Sequence, residues 1–255
     1  MIANRMEYQR MYETEQKLWW YLVLHDKVLK QIRRHFNADN REVRILDAAC
    51  GTGGLLSFLN GHGYGNLFGF DYSQHAIDFS AERGLLVGFG DLKNVAAFRP
   101  GETFDIICCN DALYFLTDEE IIRALNTFRQ RLNPNGLLII NIHAFEAFSG
   151  THDLAVGSSR RFELRQFVDF SRAAGLKISY STYWPFALSL PILLVRQWQK
   201  YQIRHQKVQA HEVDSDVKFP GETINRILKG ITKAESWLFR KAPFGSSLFM
   251  TMKQV

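Results

Sequence analysis

The stretch that most constrains this chain is Val43-Arg44-Ile45-Leu46-Asp47-Ala48-Ala49-Cys50-Gly51-Thr52-Gly53-Gly54. Residues 43–46 are β-branched and aliphatic, the pattern of a buried strand. Residues 49–54 are small and glycine-rich, so the backbone can turn tightly and a ligand can approach it closely. Residues 55–59, Leu-Leu-Ser-Phe-Leu, start a helix. Strand, glycine turn and helix open a doubly wound nucleotide-binding sheet, with its ligand at the strand's carboxyl end. A dinucleotide fingerprint needs Gly-x-Gly-x-x-Gly at this point. Here that frame starts with Ala49, and Asp47 at the strand end would repel a pyrophosphate. A carboxylate there suits a ligand that carries positive charge.

The rest of the chain supplies the other strands in order. Residues 66–71 form a strand ending at Asp71, where an acidic residue can accept two hydrogen bonds from ribose hydroxyls; helix capping is the competing role, and Ser73 suits it better. Residues 85–89 form a third strand, followed by Gly90-Asp91-Leu92. Residues 104–110 form a fourth, ending at Asn110 and followed by Asp111-Ala112-Leu113. Cys108 and Cys109 are adjacent, so they point to opposite faces of that strand and read as core. Thr117-Asp118-Glu119-Glu120 is a capping box opening a helix that runs to Arg131, before Asn133-Pro134-Asn135-Gly136 breaks it. A fifth strand is expected at 137–143, a polar loop at 144–161, and a helix at 162–174 ended by Gly175. The sixth strand is expected at 176–183 and the last at 247–253. Ahead of them all, residues 8–36 have the periodicity of one helix, in which Trp19 and Trp20 either pack on the sheet or form a lid.

These residues resemble motif I of the class I S-adenosylmethionine-dependent methyltransferases, Asp-x-Gly-x-Gly-x-Gly, from which Ala49 departs at the first glycine. S-adenosylmethionine carries an ammonium and a sulfonium, the charge Asp47 suits. The resemblance covers roughly residues 40–183 and the final strand. It implies an α/β fold with a doubly wound, mostly parallel, seven-stranded Rossmann-like sheet and a helical insertion before the last strand. It further implies that Asp47, Ala49, Cys50, Gly51 and Gly53 form the cofactor turn. Asp71 would hold the ribose, Tyr72 would lie on the adenine face, and Asp91 with Leu92 would meet the adenine amine. Asn110 and Leu113 would sit beside the methionine moiety, and Trp20 on the lid. The reaction needs no acid, and a base only when the acceptor must lose a proton. Asp111, His143 and His152 are the candidates for that base.

Composition narrows the partners. Of 255 residues, 46% are hydrophobic and 22% charged, with a net charge of +5, which permits but does not demand an acidic partner. The three cysteines have neither metal-ligand spacing nor a disulfide ladder, so no metal is expected. The N-terminal residues lack an apolar signal core, and no uncharged run could span a bilayer, so a cytoplasmic location is expected. There is no Asn/Asp-Pro-Pro-aromatic step after the fourth strand, no Pro-Cys nucleophile and no paired-glutamate loop, so no nucleic-acid partner is expected. A small acceptor, apolar or lipid-like, remains. The chain divides into a helical lid at 1–39, a core at 40–186 with 245–255, and a helical cap at 187–244. The cap has a basic aromatic helix, with Arg196, Trp198, Lys200, Tyr201, Arg204, His205 and Lys207. A second helix carries Ile224, Ile227, Leu228, Ile231, Ala234 and Leu238 at helical spacing. The two can pack on each other, form a homodimer contact, or cover an acceptor pocket beside a membrane surface. A dinucleotide-binding oxidoreductase and a non-catalytic scaffold of the same fold are the rival readings.

Overall fold

The computed structural model describes residues 5–205 and 218–255; Lys207 lies outside the described residues. The strands are β1 (Ile45–Ala48), β2 (Leu67–Asp71), β3 (Val87–Phe89), β4 (Phe104–Asn110), β5 (Leu132–His143), β6 (Leu176–Trp184) and β7 (Ser247–Gln254). They form one seven-stranded sheet in the order β3-β2-β1-β4-β5-β7-β6. β7 is antiparallel to both β5 and β6, and the other pairings are parallel. The central strands are buried on both faces, which is why they read as unbroken apolar runs. Cys109 lies in the core layer that includes Phe128 of α5 (Asp118–Arg131) and Phe167 of α7 (Leu164–Ala173). Cys108 lies in the opposite layer, against Val28 and Ile32 of α2 (Trp19–His35) and Leu55 of α3 (Gly54–Gly61). The alternation expected of adjacent strand residues holds.

Three local expectations are corrected. The first strand starts two residues later than its composition suggests, because the Arg44 N–H donates to the Asp105 carboxylate at 2.8 Å rather than to the ladder. The single N-terminal helix is two, α1 (Arg5–Thr14) and α2. At the break, Leu18 N–H bonds Thr14 O at 2.7 Å, and Trp19 N–H is taken by the Asn225 side chain at 2.7 Å. Glu15 keeps a helical bond at the break, its N–H donating to Met11 O at 2.8 Å, while its side chain reaches the glycine turn, a tertiary contact that overrides the periodicity. The expected loop at 144–161 contains a 3₁₀ turn at Glu146–Phe148 and a short helix, α6 (Thr151–Val156), with the Asp153 carboxylate accepting from Gly150 N–H at 2.8 Å.

The segment between β6 and β7 contains α8 (Ser189–Arg204) and α9 (Glu222–Leu238). α8 lies over Glu146–Phe148 and α6, and α9 lies on α2. The apolar residues of α9 do not pack on α8 as one sequence reading had it: Ile224, Ile227, Ile231 and Leu238 are exposed, while Asn225, Thr232 and Glu235 are buried. No helix among the described residues is long and apolar enough to cross a membrane.

The turn after β1 has one strained residue. Ala49 has φ +59°, in the left-handed region that favours glycine. The first glycine of the motif this turn resembles therefore has a conformational reason, which this chain meets with an alanine. Ala49→Gly should raise stability by about 1 kcal/mol, read as a higher urea midpoint at unchanged slope. An unchanged or lower midpoint would show that Ala49 holds this conformation at no cost.

Candidate functional site

A cavity of about 770 Å³ opens at the carboxyl ends of β1, β2 and β4, under α1, α2 and α8. Of the residues expected at the site, Trp20, Asp47, Ala49, Cys50, Gly51, Asp71, Tyr72, Asp91, Leu92, Asn110, Asp111, His143 and His152 all line it. Gly53 and Leu113 do not. Gly53 has φ +79° at the start of α3, and a Cβ there would meet Leu85 and Ser80 on the far side of the turn. Leu113 is fully buried in the core.

The glycine turn is held by a carboxylate. Asp71 accepts from Gly51 N–H and from Ser73 N–H, each at 2.9 Å. Ser73 occupies the N-cap position of α4 (Gln74–Glu82) without a side-chain cap bond, and Asp71 holds the N–H of that residue while also facing the cavity. The space beside Gly51 is not open: a Cβ there would lie 2.8 Å from Met11 Sδ on α1. Glu15, at the α1–α2 break, bonds the Thr52 hydroxyl and pairs with Arg83 at 2.7 Å. These α1 contacts carried no signal in the sequence, where Met11 and Glu15 read as ordinary helix positions.

Glu7, Glu15, Asp47, Asp71, Asp91 and Asp111 all contribute to the cavity wall. Burial raises the Asp47 carboxyl well above its ordinary range, and the charges of Glu15 and Asp71 add to that. Burial likewise lifts Glu15 to about 7, against the opposing pull of Arg83. Carboxylates pushed up by burial and by one another favour a ligand that brings positive charge. Asp91 also caps the 3₁₀ turn Leu92–Ala97, accepting from Lys93 N–H at 2.8 Å. Tyr72 is nearly half exposed beside Phe89, at the rim. Trp20 stacks on Trp184 at 5.4 Å and lines the cavity.

Through Asp111, His143 and Arg161 the second half of the cavity meets a buried polar chain. Trp184 Nε1–H donates to Asn141 Oδ1 at 2.8 Å, and Asn141 Nδ2–H donates to Asp111 Oδ2 at 2.8 Å. Asp111 Oδ1 faces His143 Nε2 at 3.7 Å, and His143 Nδ1 faces Asp153 Oδ1 at 3.8 Å, both beyond hydrogen-bond length. Asp153 is gripped by both arms of Arg161, at 2.8 and 3.0 Å. His143 stacks on Tyr114 at 4.9 Å, and the His152 ring lies 5.5 Å away. Burial pushes Asp111 up to about 7. It drives His143 well below its ordinary value, helped by the Arg161 charge, so that imidazole is neutral. Asn110 Oδ1, Asp111 Oδ1 and His143 Nδ1 are buried with no hydrogen-bond partner among the described residues, a costly state that a polar ligand group would relieve. Asp111 has φ +49°, the strained backbone that functional sites often hold. Asn141, Asp153, Arg161 and Trp184 were not legible as site residues, since only the fold brings them together.

Known proteins bear on this geometry. A family model described as a methyltransferase domain matches residues 22–180. A curated relative, YqeM of Bacillus subtilis (strain 168), is named provisionally as a methyltransferase. It is 28% identical over 106 residues, 40% of this chain and 42% of that protein, so the chain matches less than half of its length. Among solved structures, an S-adenosylmethionine-dependent methyltransferase from Mesorhizobium loti superposes with a TM-score of 0.55 at 14% identity, covering 88% of this chain and 96% of that one. One from Clostridium acetobutylicum ATCC 824 gives 0.54 at 12% identity, covering 90% of each. CalS10 from Micromonospora echinaspora, an amino pentose methyltransferase with bound S-adenosylmethionine, gives 0.54 at 21% identity, covering 69% and 91%. At these identities the structures share the fold. The family match, over a stretch that contains the carboxylate-rich glycine turn and all but the last two strands of this sheet, is what decides the assignment: the chain belongs to the class I S-adenosylmethionine-dependent methyltransferases.

Proposed function

We propose that the protein methylates a heteroatom, oxygen or nitrogen, of a small, apolar or lipid-like acceptor, with Asp111 receiving the acceptor's proton. The observation that carries this reading is the buried, unpartnered Asp111 Oδ1 beside neutral His143 in the same cavity as the carboxylate cluster. The residues fit S-adenosylmethionine. Asp47 and the 49–51 turn would hold its cationic amino-acid end, Asp71 the ribose, and Tyr72, Asp91 and Leu92 the base. Asn110 Oδ1 would accept from the methionine ammonium. When bound, the cofactor supplies an activated methyl group on a sulfonium.

The chain's own residues do the rest. The acceptor is held in line by the cavity walls, among them Tyr114, Phe115, Leu116, Val156 and Ile192, whose apolar surface favours an apolar body. The acceptor's O–H or N–H proton passes to Asp111 Oδ1, and the electron pair stays on the acceptor atom. Asn141 and Trp184 hold the other carboxylate oxygen in place, while Tyr114 holds the His143 ring. His152, next to His143, is placed to pass the proton outward. In the lid at 1–39, α1 and α2 close the cofactor side, with Met11 over Gly51 and Trp20 at the wall, and in the cap at 187–244, α8 covers the acceptor side through Ile192 and Arg196. The core is 40–186 with 245–255. A dinucleotide oxidoreductase is disfavoured, because a pyrophosphate would enter among carboxylates.

Two measurements test this. Asp47→Asn should weaken S-adenosylmethionine binding by about 10- to 100-fold in calorimetry, the cost of about 1–3 kcal/mol for an unmatched charged partner. NAD should not bind. Because Asp47 is held at a raised value by burial and by neighbouring carboxylates, the same substitution should leave the thermal midpoint unchanged or higher. Undiminished affinity would remove Asp47 from the site.

The second measurement is pH dependence, using an acceptor found by screening small apolar hydroxyl and amine compounds. Burial raises Asp111, so its base form is present only above about 7. The rate should rise with pH through about 7 and level off above it. Asp111→Asn should remove that limb and lower kcat by about 10²- to 10⁴-fold. A limb that persists in Asp111→Asn would pass the role to another group.

A further inference from the structure

α9 is turned inside out for a helix of a soluble protein. Its inward face is polar: Asn225, Thr232 and Glu235 are buried, the last only 5% exposed. Its outward face is Ile224, Ile227, Ile231 and Leu238, with Trp237 85% exposed at the end. This rotation is pinned at both ends. Asn225 donates to Lys17 O at 2.8 Å and accepts from Trp19 N–H at 2.7 Å. The Glu235 carboxylate accepts from Phe186 and Ala187 N–H at 2.8 and 2.7 Å. Rolling the apolar stripe inward would strip these buried groups of their partners, at a cost that burying a few aliphatic side chains does not clearly repay.

α8 repeats the arrangement. Leu190, Leu194, Trp198 and Tyr201 follow one another at helical spacing, and all are exposed. Phe186, just before α8, packs on Phe239, just after α9, at 5.3 Å, and Leu190, Trp237 and Leu238 at those helix ends are exposed. Exposed apolar faces on two successive helices exceed the scattered surface residues that are ordinary in a monomer.

Charge selects the occupant. α8 has no acidic residue, and the acids of α9 are Glu222 and the buried Glu235. Arg196, Lys200 and Lys233 are turned inward, to the cavity wall, Glu146 O and Asp26, whereas Arg204 on α8, Arg226 on α9 and Arg240 and Lys241 just after it are exposed. A second copy of the chain would set these basic flanks against each other. Apolar stripes with Trp and Tyr at their edges and a basic border match the interface of an anionic bilayer. We propose that the outward faces of α8 and α9 seat this protein on an anionic lipid surface, at the mouth that Ile192 and Arg196 of α8 help to line. The proposal rests on the lipid-like acceptor reading for its biological use, but docking itself is measured apart from methyl transfer.

The test is flotation of the full chain with vesicles of phosphatidylcholine alone or mixed with phosphatidylglycerol. The protein should float with the mixed vesicles, stay behind with the neutral ones, and be released by high salt. Ile227→Asp with Ile231→Asp on α9 should lower vesicle partitioning by about tenfold or more. So should Leu194→Asp with Trp198→Ala on α8, an independent pair. Arg226→Glu with Lys229→Glu should do the same on the anionic vesicles. All these side chains are at least partly exposed, and S-adenosylhomocysteine binding by calorimetry should be unchanged in each variant, which separates a docking failure from a failure of the cofactor reading. Wild-type protein that ignores anionic vesicles, or variants that float as well as wild type, would overturn the proposal. So would a lipid-independent dimer in sedimentation that the isoleucine substitutions dissolve, which would assign the face to a second copy.

Discussion

The site depends on one carboxylate. Asp71, at the end of β2, holds Gly51 N–H with one oxygen and Ser73 N–H with the other. It thereby ties the turn after β1 to the turn after β2 across the neighbouring strand. Such charge-assisted bonds to backbone N–H groups are among the stronger ones a turn can have. The glycine turn is consequently shaped by the adjacent crossover as much as by its own glycines. The same residue that faces the cavity sets the geometry of the loop beside it, so binding and architecture share it.

The sheet was legible because its central strands are buried on both faces. Residues 104–110 and 137–143 have no choice of partner face, and apolar continuity identifies them. The edges of elements were less legible where a tertiary bond competed with local periodicity. Nothing local to residues 8–36 announces a break at Glu15, since the break is stabilised by Thr52, Arg83 and Asn225, all distant in sequence. The same limit hid half of the site. Asp47, Asp71 and Asn110 stand at strand ends, where topology alone puts them near a ligand. Asn141, Asp153 and Arg161 acquire meaning only through Asp111 and His143, which no sequence spacing connects to them. α9 misled in a third way: its apolar periodicity was real, but the helix is fixed by its polar face, so the pattern marks the outside.

Two environments meet in one cavity without mixing. Around the glycine turn, mutual repulsion among buried carboxylates leaves a deficit of positive charge. Around Asp111 and His143, burial leaves acceptor atoms without donors. Both halves are held in unfavourable states by the packing around them, including the left-handed backbone at Ala49 and Asp111. The fold bears that cost in its stability, as sites organised in advance of their ligand generally do.

The segment at Glu15–Trp19 touches more than its size suggests. Glu15 reaches the Thr52 hydroxyl in the glycine turn, and four residues later the Trp19 N–H is held by Asn225 of α9. Alongside it, Lys233 of α9 pairs with Asp26 of α2, and Lys27 donates to the Ser236 hydroxyl. The outer helix is thus fastened to the same short stretch of chain that braces the glycine turn, which makes that stretch a keystone between two neighbours rather than a spacer between two helices.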